Sequence, residues 1–174
     1  MDLFDQRVIG YEATKEILRQ LLDILGHKDV YKKQGASVPH GLLMVSEPGL
    51  GKSLMATTFM EESGRSAITF RKDSDAESFL DDLKEAFLQA KQSVPSVLLL
   101  EDINLYADSP SPYGPQWAAL QSAIDGVKDA DVFLIATANA TSCIPESLLR
   151  PGRFDYTVQL EPPRGDNAVR IAAH

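Results

Sequence analysis

Short unbroken apolar runs alternate along this chain with longer stretches in which apolar residues recur every three or four positions. "GLLMVS" from Gly41, "SAITF" from Ser66, "SVLLL" from Ser96 and "VFLIAT" from Val132 are of the first kind, and such short runs, bounded by Gly, Pro or polar residues, read as buried strands. "EATKEILRQLLDILG" is of the second kind, with Ile17, Leu18, Leu21, Leu22 and Leu25 on one helical face and Gly26 as its stop. "GKSLMATTFMEESG" follows the same period, placing Leu54, Met55, Phe59 and Met60 inward and Gly64 at its end. Ser74 and Glu77 make an S-x-x-E capping pattern ahead of a further helix, whose Phe79, Leu80, Leu83, Phe87 and Ala90 share a face and which Pro95 closes. A Pro-rich loop "DSPSPYGPQ", a helix "WAALQSAIDG", a short helix "PESLLR" and a fifth strand within "RPGRFDYTVQLEPP" follow. Strands alternating with helices predict a parallel α/β sheet with helices on both faces.

Composition narrows the function classes. With 174 residues, 44% hydrophobic and 24% charged, the chain suits one globular domain able to bury a core without disulfides or metals. No apolar run reaches the ~18 residues of a membrane span, and "MDLFDQRVIG" lacks the basic and apolar parts of a signal peptide; a cytoplasmic location is expected. A net charge of −8 disfavours a duplex nucleic-acid surface, which needs clustered Lys and Arg. The single cysteine, Cys143, has no partner and reads as a packing residue, and His27, His40 and His174 have no metal-ligand spacing.

The chemistry concentrates in two places. "SEPGLGKS", Ser46 to Ser53, lies between a strand and a helix, where Gly49 and Gly51 allow close backbone approach to phosphates, Lys52 can reach the β and γ phosphates and Ser53 can offer a hydroxyl to Mg²⁺. The first position of G-x-x-x-x-G-K-[ST] is Ser46 rather than Gly, and Glu47 is expected to turn outward because an acid facing phosphate repels it. Downstream, "VLLLEDIN" ends a buried strand in two acids, Glu101 and Asp102. A phosphate loop followed by such a strand is the two-part signature of a P-loop NTPase. Asn139, after "FLIATA", could orient a water near a γ-phosphate or simply make a turn. Arg150 and Arg153 flank a Pro-Gly turn; they are either solvated, paired with acids such as Asp155, or arginine fingers reaching a neighbouring subunit.

These motifs in this order resemble the large α/β subdomain of an AAA ATPase, of the group containing the proteasomal ATPases and the membrane-bound AAA proteases. "VIGYEATKEILRQLL" looks like the segment that wraps adenine, with Val8, Ile9 and Gly10 at the matching positions; "SEPGLGKS" is similar to Walker A, with Glu47, Pro48, Gly49, Leu50, Gly51, Lys52, Ser53 and Leu54 against the nucleotide. "SVLLLEDIN" matches Walker B, Asn139 matches sensor 1, and "LLRPGRFD" matches the second region of homology, which is the most specific of them. The resemblance implies a three-layer P-loop NTPase sheet of five parallel strands in the order 5-1-4-3-2. It implies ATP and Mg²⁺ as ligands, the metal held by Ser53 and supported by Glu101, and water polarised by Asp102 and oriented by Asn139. It also implies a homo-oligomeric, hexameric ring in which Arg150 and Arg153 serve the adjacent subunit, acting on a protein substrate. Residues 1–163 would form the nucleotide-binding subdomain and 164–174 the start of a helical lid.

Two departures stand out. The family ends Walker B in Asp-Glu, whereas this chain has Glu101 then Asp102, so the water-activating acid is shorter by one methylene, about 1.5 Å of reach. The aromatic-hydrophobic-Gly pore loop of the family's unfoldases aligns with Asp75, Ala76 and Glu77 in "RKDSDAESF", leaving Phe70 or Phe79 as displaced candidates, although Phe79 fits the helix core better. An ATPase that remodels a protein partner and a degenerate domain that holds ATP as a structural or regulatory ligand are therefore the two readings. A small-molecule kinase leaves "LLRPGRFD" unexplained, and a clamp loader on DNA is disfavoured by charge.

Overall fold

The computed structural model describes residues 2–72, 78–106 and 114–162. Five parallel strands, β1 (Gly41–Val45), β2 (Ser66–Arg71), β3 (Ser96–Glu101), β4 (Val132–Ala138) and β5 (Tyr156–Gln159), form one sheet in the order β2-β3-β4-β1-β5. Read from the other edge this is 5-1-4-3-2, the expected order. Every residue of β1 and β4 is buried, as the centre of a parallel sheet covered on both faces requires, while most residues of the edge strands β2 and β5 are exposed.

Alternation along the central strands feeds two cores. Leu42, Met44, Val97, Leu99, Phe133 and Ile135 point to one face, where α1 (Leu3–Arg7), α2 (Glu12–Gly26) and α4 (Lys52–Glu62) bury Phe4, Leu18, Leu21, Met55 and Phe59. Leu43, Val45, Leu98, Leu100, Leu134 and Ala136 point to the other, packing against Phe79, Leu83 and Phe87 of α5 (Phe79–Gln92) and Trp117, Leu120 and Ile124 of α6 (Pro115–Asp125). Phe59 stacks on Phe133 at 5.6 Å between ring centroids, and each such buried ring contributes about 1.5–3 kcal/mol by transfer. Cys143 packs at the edge of the second core, the structural place expected for it.

Several expectations are corrected. α2 ends at Gly26 as expected, but α1 and α3 (Lys28–Lys33) fall where no helix was expected. Leu54 and Leu80, assigned inward by spacing, are 45% and 37% exposed; each sits at the rim of its helix's apolar stripe. "PESLLR" is a 3-10 turn over Glu146–Leu149, and α6 begins at Pro115, suited to a first helical position that needs no N–H donor. Phe70 and Phe79 are both buried, 5.8 Å apart and each in contact with Tyr106, so neither can grip a substrate from the surface. The Ser74/Glu77 cap, the aligned pore positions Asp75, Ala76 and Glu77, and the lid segment 164–174 lie outside the described residues.

The turn carrying the two arginines is pinned to the start of β1. Asp155 accepts from the backbone N–H groups of His40 and Gly152 at 2.5 and 2.7 Å and from Gly41 at 3.3 Å. A Cβ at Gly41 would stand 2.6 Å from the Arg153 carbonyl, so only glycine permits this approach. Among the described residues no helix is long and apolar enough to cross a membrane.

Candidate functional site

The phosphate loop leaves β1 in register with its neighbour, the Ser46 N–H donating to the Ala138 carbonyl at 3.2 Å. Gly49 and Gly51 both have φ of +86°, a left-handed conformation that side chains rarely adopt. Gly51 caps α4 with no side-chain acceptor, and the first turn of α4 has no acid. Its leading N–H groups and the positive end of its dipole are therefore presented to an anion. Glu47 and Ser53 are exposed.

Lys52, the first residue of α4, is 7% exposed. Its Nζ donates to the Ser46 carbonyl (2.7 Å), Ser46 Oγ (3.1 Å), the Glu47 carbonyl (3.2 Å) and Asn139 Oδ1 (3.2 Å). Every acceptor is neutral. Burial pushes the ammonium below its usual range, partly offset by the charge of Asp102. Asn139 follows β4 directly, and its N–H donates to Asn104 Oδ1 at 3.1 Å, so the loop, β4 and the segment after β3 are tied at one point.

The two acids stand at the end of β3, in the middle of the sheet. Register places Arg71, the last residue of β2, opposite Glu101, and its guanidinium lies 4.0 Å from Glu101 Oε2 and 3.4 Å from Asp102 Oδ2. Arg71 is 65% exposed, which weakens the pairing by solvent screening. Asp102 adopts φ 51°, ψ 51°, a left-handed geometry in which Asp is favoured over longer side chains, and its N–H donates to Thr137 Oγ1 at 2.9 Å. Tyr106, buried behind them, is pushed well above the usual phenol range by burial, with Glu101 and Asp102 adding to it.

Val8, Ile9 and Gly10 lead into Tyr11, whose φ is 60° and whose hydroxyl donates to the Leu50 carbonyl at 3.2 Å. This bond brings the amino-terminal segment to the phosphate loop. Val8 itself is buried in the core below α2, whereas Ile9 is half-buried. Tyr11 and Asp102 are the non-glycine residues with positive φ among those described, and both border the phosphate loop.

The arginines separate. Arg150 is exposed. Arg153 is engaged within its own chain, its Nε and Nη2 lying 3.2 and 2.9 Å from the Asp125 carboxylate and its Nη1 donating to the Ser147 carbonyl at 2.7 Å. The acid paired with an arginine is thus Asp125 of α6 rather than Asp155, which is committed to the backbone. The Arg153 hydrogen bond, followed by that of Lys128, holds Asp125 down to about 2.

Sequence reasoning missed Arg71, Asn104, Thr137 and Tyr11. A Thr inside "FLIATA" and an Asn two residues after the acids were visible breaks in apolar runs, but only strand adjacency gives them a role.

The donor set suits Mg²⁺. Ser53 offers a hydroxyl and Glu101 and Asp102 offer hard carboxylate oxygens, while no group of three or more His, Cys, Asp or Glu among the described residues could enclose a metal. A hard ion that keeps several waters and takes its other ligands from phosphate needs no such enclosure.

A cleft of about 940 Å³ lies elsewhere, at the amino-terminal edge of the sheet beside His40, Arg65, Pro95 and Val132. Two of its cations are closed on one acid: Arg65 and Lys28 both pair with Asp131, and Arg65 also donates to the Leu25 carbonyl at 3.0 Å.

A glycine loop between strand and helix, a buried lysine at its end and acids on the strand beyond its neighbour define a P-loop nucleoside triphosphatase. Residues 42–162 match the sequence pattern of the ATPase family associated with various cellular activities (AAA), and the chain belongs to that family as an ATPase domain. It is similar to proteins named ATP-dependent zinc metalloprotease FtsH: that of Acidothermus cellulolyticus at 29% identity over 96% of this chain and 27% of the relative, and that of Leptotrichia buccalis at 31% over 95% and 23%. FtsH 2 of a Thermoanaerobacter species matches at 28% over 90% and 32%. The chain spans about a quarter to a third of the length of these relatives.

Proposed function

We propose that the domain binds ATP with Mg²⁺ and hydrolyses it from within an oligomeric ring, six subunits by family resemblance, to remodel a protein partner. The observation that carries this reading is Lys52: a buried ammonium held by neutral acceptors at the head of an uncapped helix, beside two acids. The loop N–H groups and Lys52 receive the β and γ phosphates, and Ile9, Gly10 and Leu54 border the base, with Val8 held in the core beneath them. Ser53 and Glu101 would hold Mg²⁺, which when bound supplies charge neutralisation across those phosphates. Asp102 accepts a proton from the attacking water, Asn139 orients that water, and the arginines of an adjacent subunit stabilise charge on the γ-phosphate. Arg150 is already exposed for this; Arg153 must first leave Asp125. Residues 1–163 are assigned to this subdomain and 164–174 to the start of a lid. Relatives named as ATP-dependent proteases support polypeptide as the substrate class.

A second reading, ATP held with little turnover, is favoured by the short reach of Asp102 and by Arg71 against both acids. Displacing a reacting group by about 1 Å costs on the order of a hundredfold in rate. Steady-state phosphate release from the full-length protein, with Lys52→Ala as the blank, separates the two. Turnover above the blank at saturating ATP supports hydrolysis; equal rates with tight nucleotide binding in the wild type support the second reading.

A further inference from the structure

Ser46 occupies the first position of the phosphate loop, where the motif has glycine. Its backbone needs no left-handed angle, since Tyr11 and Asp102 are the non-glycine residues so placed among those described, so the serine brings no strain. What it brings is a hydroxyl, on a residue only 1% exposed. Ser46 Oγ donates its hydrogen to the Glu47 carbonyl at 2.8 Å and lies 3.1 Å from Lys52 Nζ. With the hydrogen committed to Glu47, the oxygen faces the ammonium with lone pairs alone. It can accept from Lys52 but has no proton left to give a phosphate oxygen.

The ammonium has three N–H donors and four acceptors around it: the Ser46 carbonyl, Ser46 Oγ, the Glu47 carbonyl and Asn139 Oδ1. There is one acceptor more than there are donors, and Ser46 Oγ is the acceptor that a glycine would lack. A phosphate must draw Lys52 away from some of these partners, so any acceptor that favours the free loop weakens binding.

We propose that Ser46 is a positioning residue for nucleotide binding: its hydroxyl competes with phosphate for the Lys52 ammonium and sets a lower affinity than the glycine of the motif would give. This rests on the reading of the loop as an ATP site. Removing one of four acceptors leaves three for three donors, so the effect is modest. Ser46→Ala and Ser46→Gly should each bind ATP and ADP about three- to tenfold more tightly, a tenfold change being about 1.4 kcal/mol. Ser46→Thr, which restores the hydroxyl, should return toward wild type.

The test is equilibrium titration of the full-length protein with fluorescent ATP and ADP analogues, with thermal unfolding alongside to show that each variant is folded. In a Lys52→Ala background, titrated to millimolar nucleotide, Ser46→Ala should change nothing, because the hydroxyl acts only through the lysine. Unchanged or weaker binding by folded Ser46→Ala and Ser46→Gly overturns the proposal, as does an equal gain with and without Lys52. Failure of the wild type to bind either nucleotide would instead overturn the ATP-site reading, and this proposal with it.

Discussion

The two ends of the sheet hold their charges in opposite ways. At the amino-terminal edge Lys28 and Arg65 converge on Asp131, so these two cations of the cleft are neutralised by a carboxylate within bonding distance. At the carboxyl-terminal edge Lys52 is just as enclosed but is bonded to two carbonyls, a hydroxyl and an amide oxygen. A paired charge holds elements together; a buried charge solvated only by dipoles keeps its field for a ligand.

Breaking the contrast at its strongest point gives the largest effect. Lys52→Ala should lower phosphate release by about a hundredfold or more, as loss of a single charge-stabilising donor does in other active sites, with thermal stability nearly unchanged; steady-state kinetics and a melting curve check both. Exchanging the acids, Glu101→Asp with Asp102→Glu, should raise turnover by up to roughly a hundredfold if reach limits it. The same exchange puts Glu at a φ of 51° and should cost about 1 kcal/mol of stability, readable by denaturant unfolding. No gain in rate would mean that the site is already adapted to the shorter acid.

At the other edge the expectation reverses. Asp131→Asn leaves Lys28 and Arg65 facing each other and should destabilise by about 2 kcal/mol, below the 3–5 of a fully buried pair because the aspartate is partly solvated, while nucleotide affinity stays at the wild-type value. Chemical denaturation and ATP titration of one preparation test both halves.

The smallest effect is set by pH. Asp125, hydrogen-bonded to Arg153, and Asp2, hydrogen-bonded to Arg19, are each held down from 3.8 to about 2. A depressed carboxylate stabilises the fold fully above its unfolded value and loses that contribution as pH falls through the folded one. Stability should therefore be level in these groups above about pH 4 and decline toward about pH 2. Asp125→Asn should flatten part of that decline in an acid titration followed by circular dichroism.

How much of this was legible in the sequence follows from the range of each interaction. The first four strand runs and the phosphate loop are local patterns, and they emerged where expected. The five-residue α1 and six-residue α3 are too short and polar for a helical period to declare itself. Leu54 and Leu80 matched the period yet lie at the rim of a stripe, since spacing gives direction but not depth. The acids were legible as a pair, but Arg71 reaches them only through the pairing of β2 with β3, and Arg153 finds Asp125 across 28 residues of chain. Asp155, which looked like a partner for the arginines, is consumed by three backbone N–H groups that no sequence spacing reveals.

The central claim is that Lys52, enclosed among neutral acceptors, and not the cleft at the amino-terminal edge, marks the ATP site. Its most direct test is equilibrium binding of a fluorescent ATP analogue to full-length wild type, Lys52→Ala and Lys28→Ala. The account predicts at least a tenfold loss of affinity for Lys52→Ala, about 1.4 kcal/mol, and wild-type affinity for Lys28→Ala. Retained affinity in Lys52→Ala with loss in Lys28→Ala would contradict it.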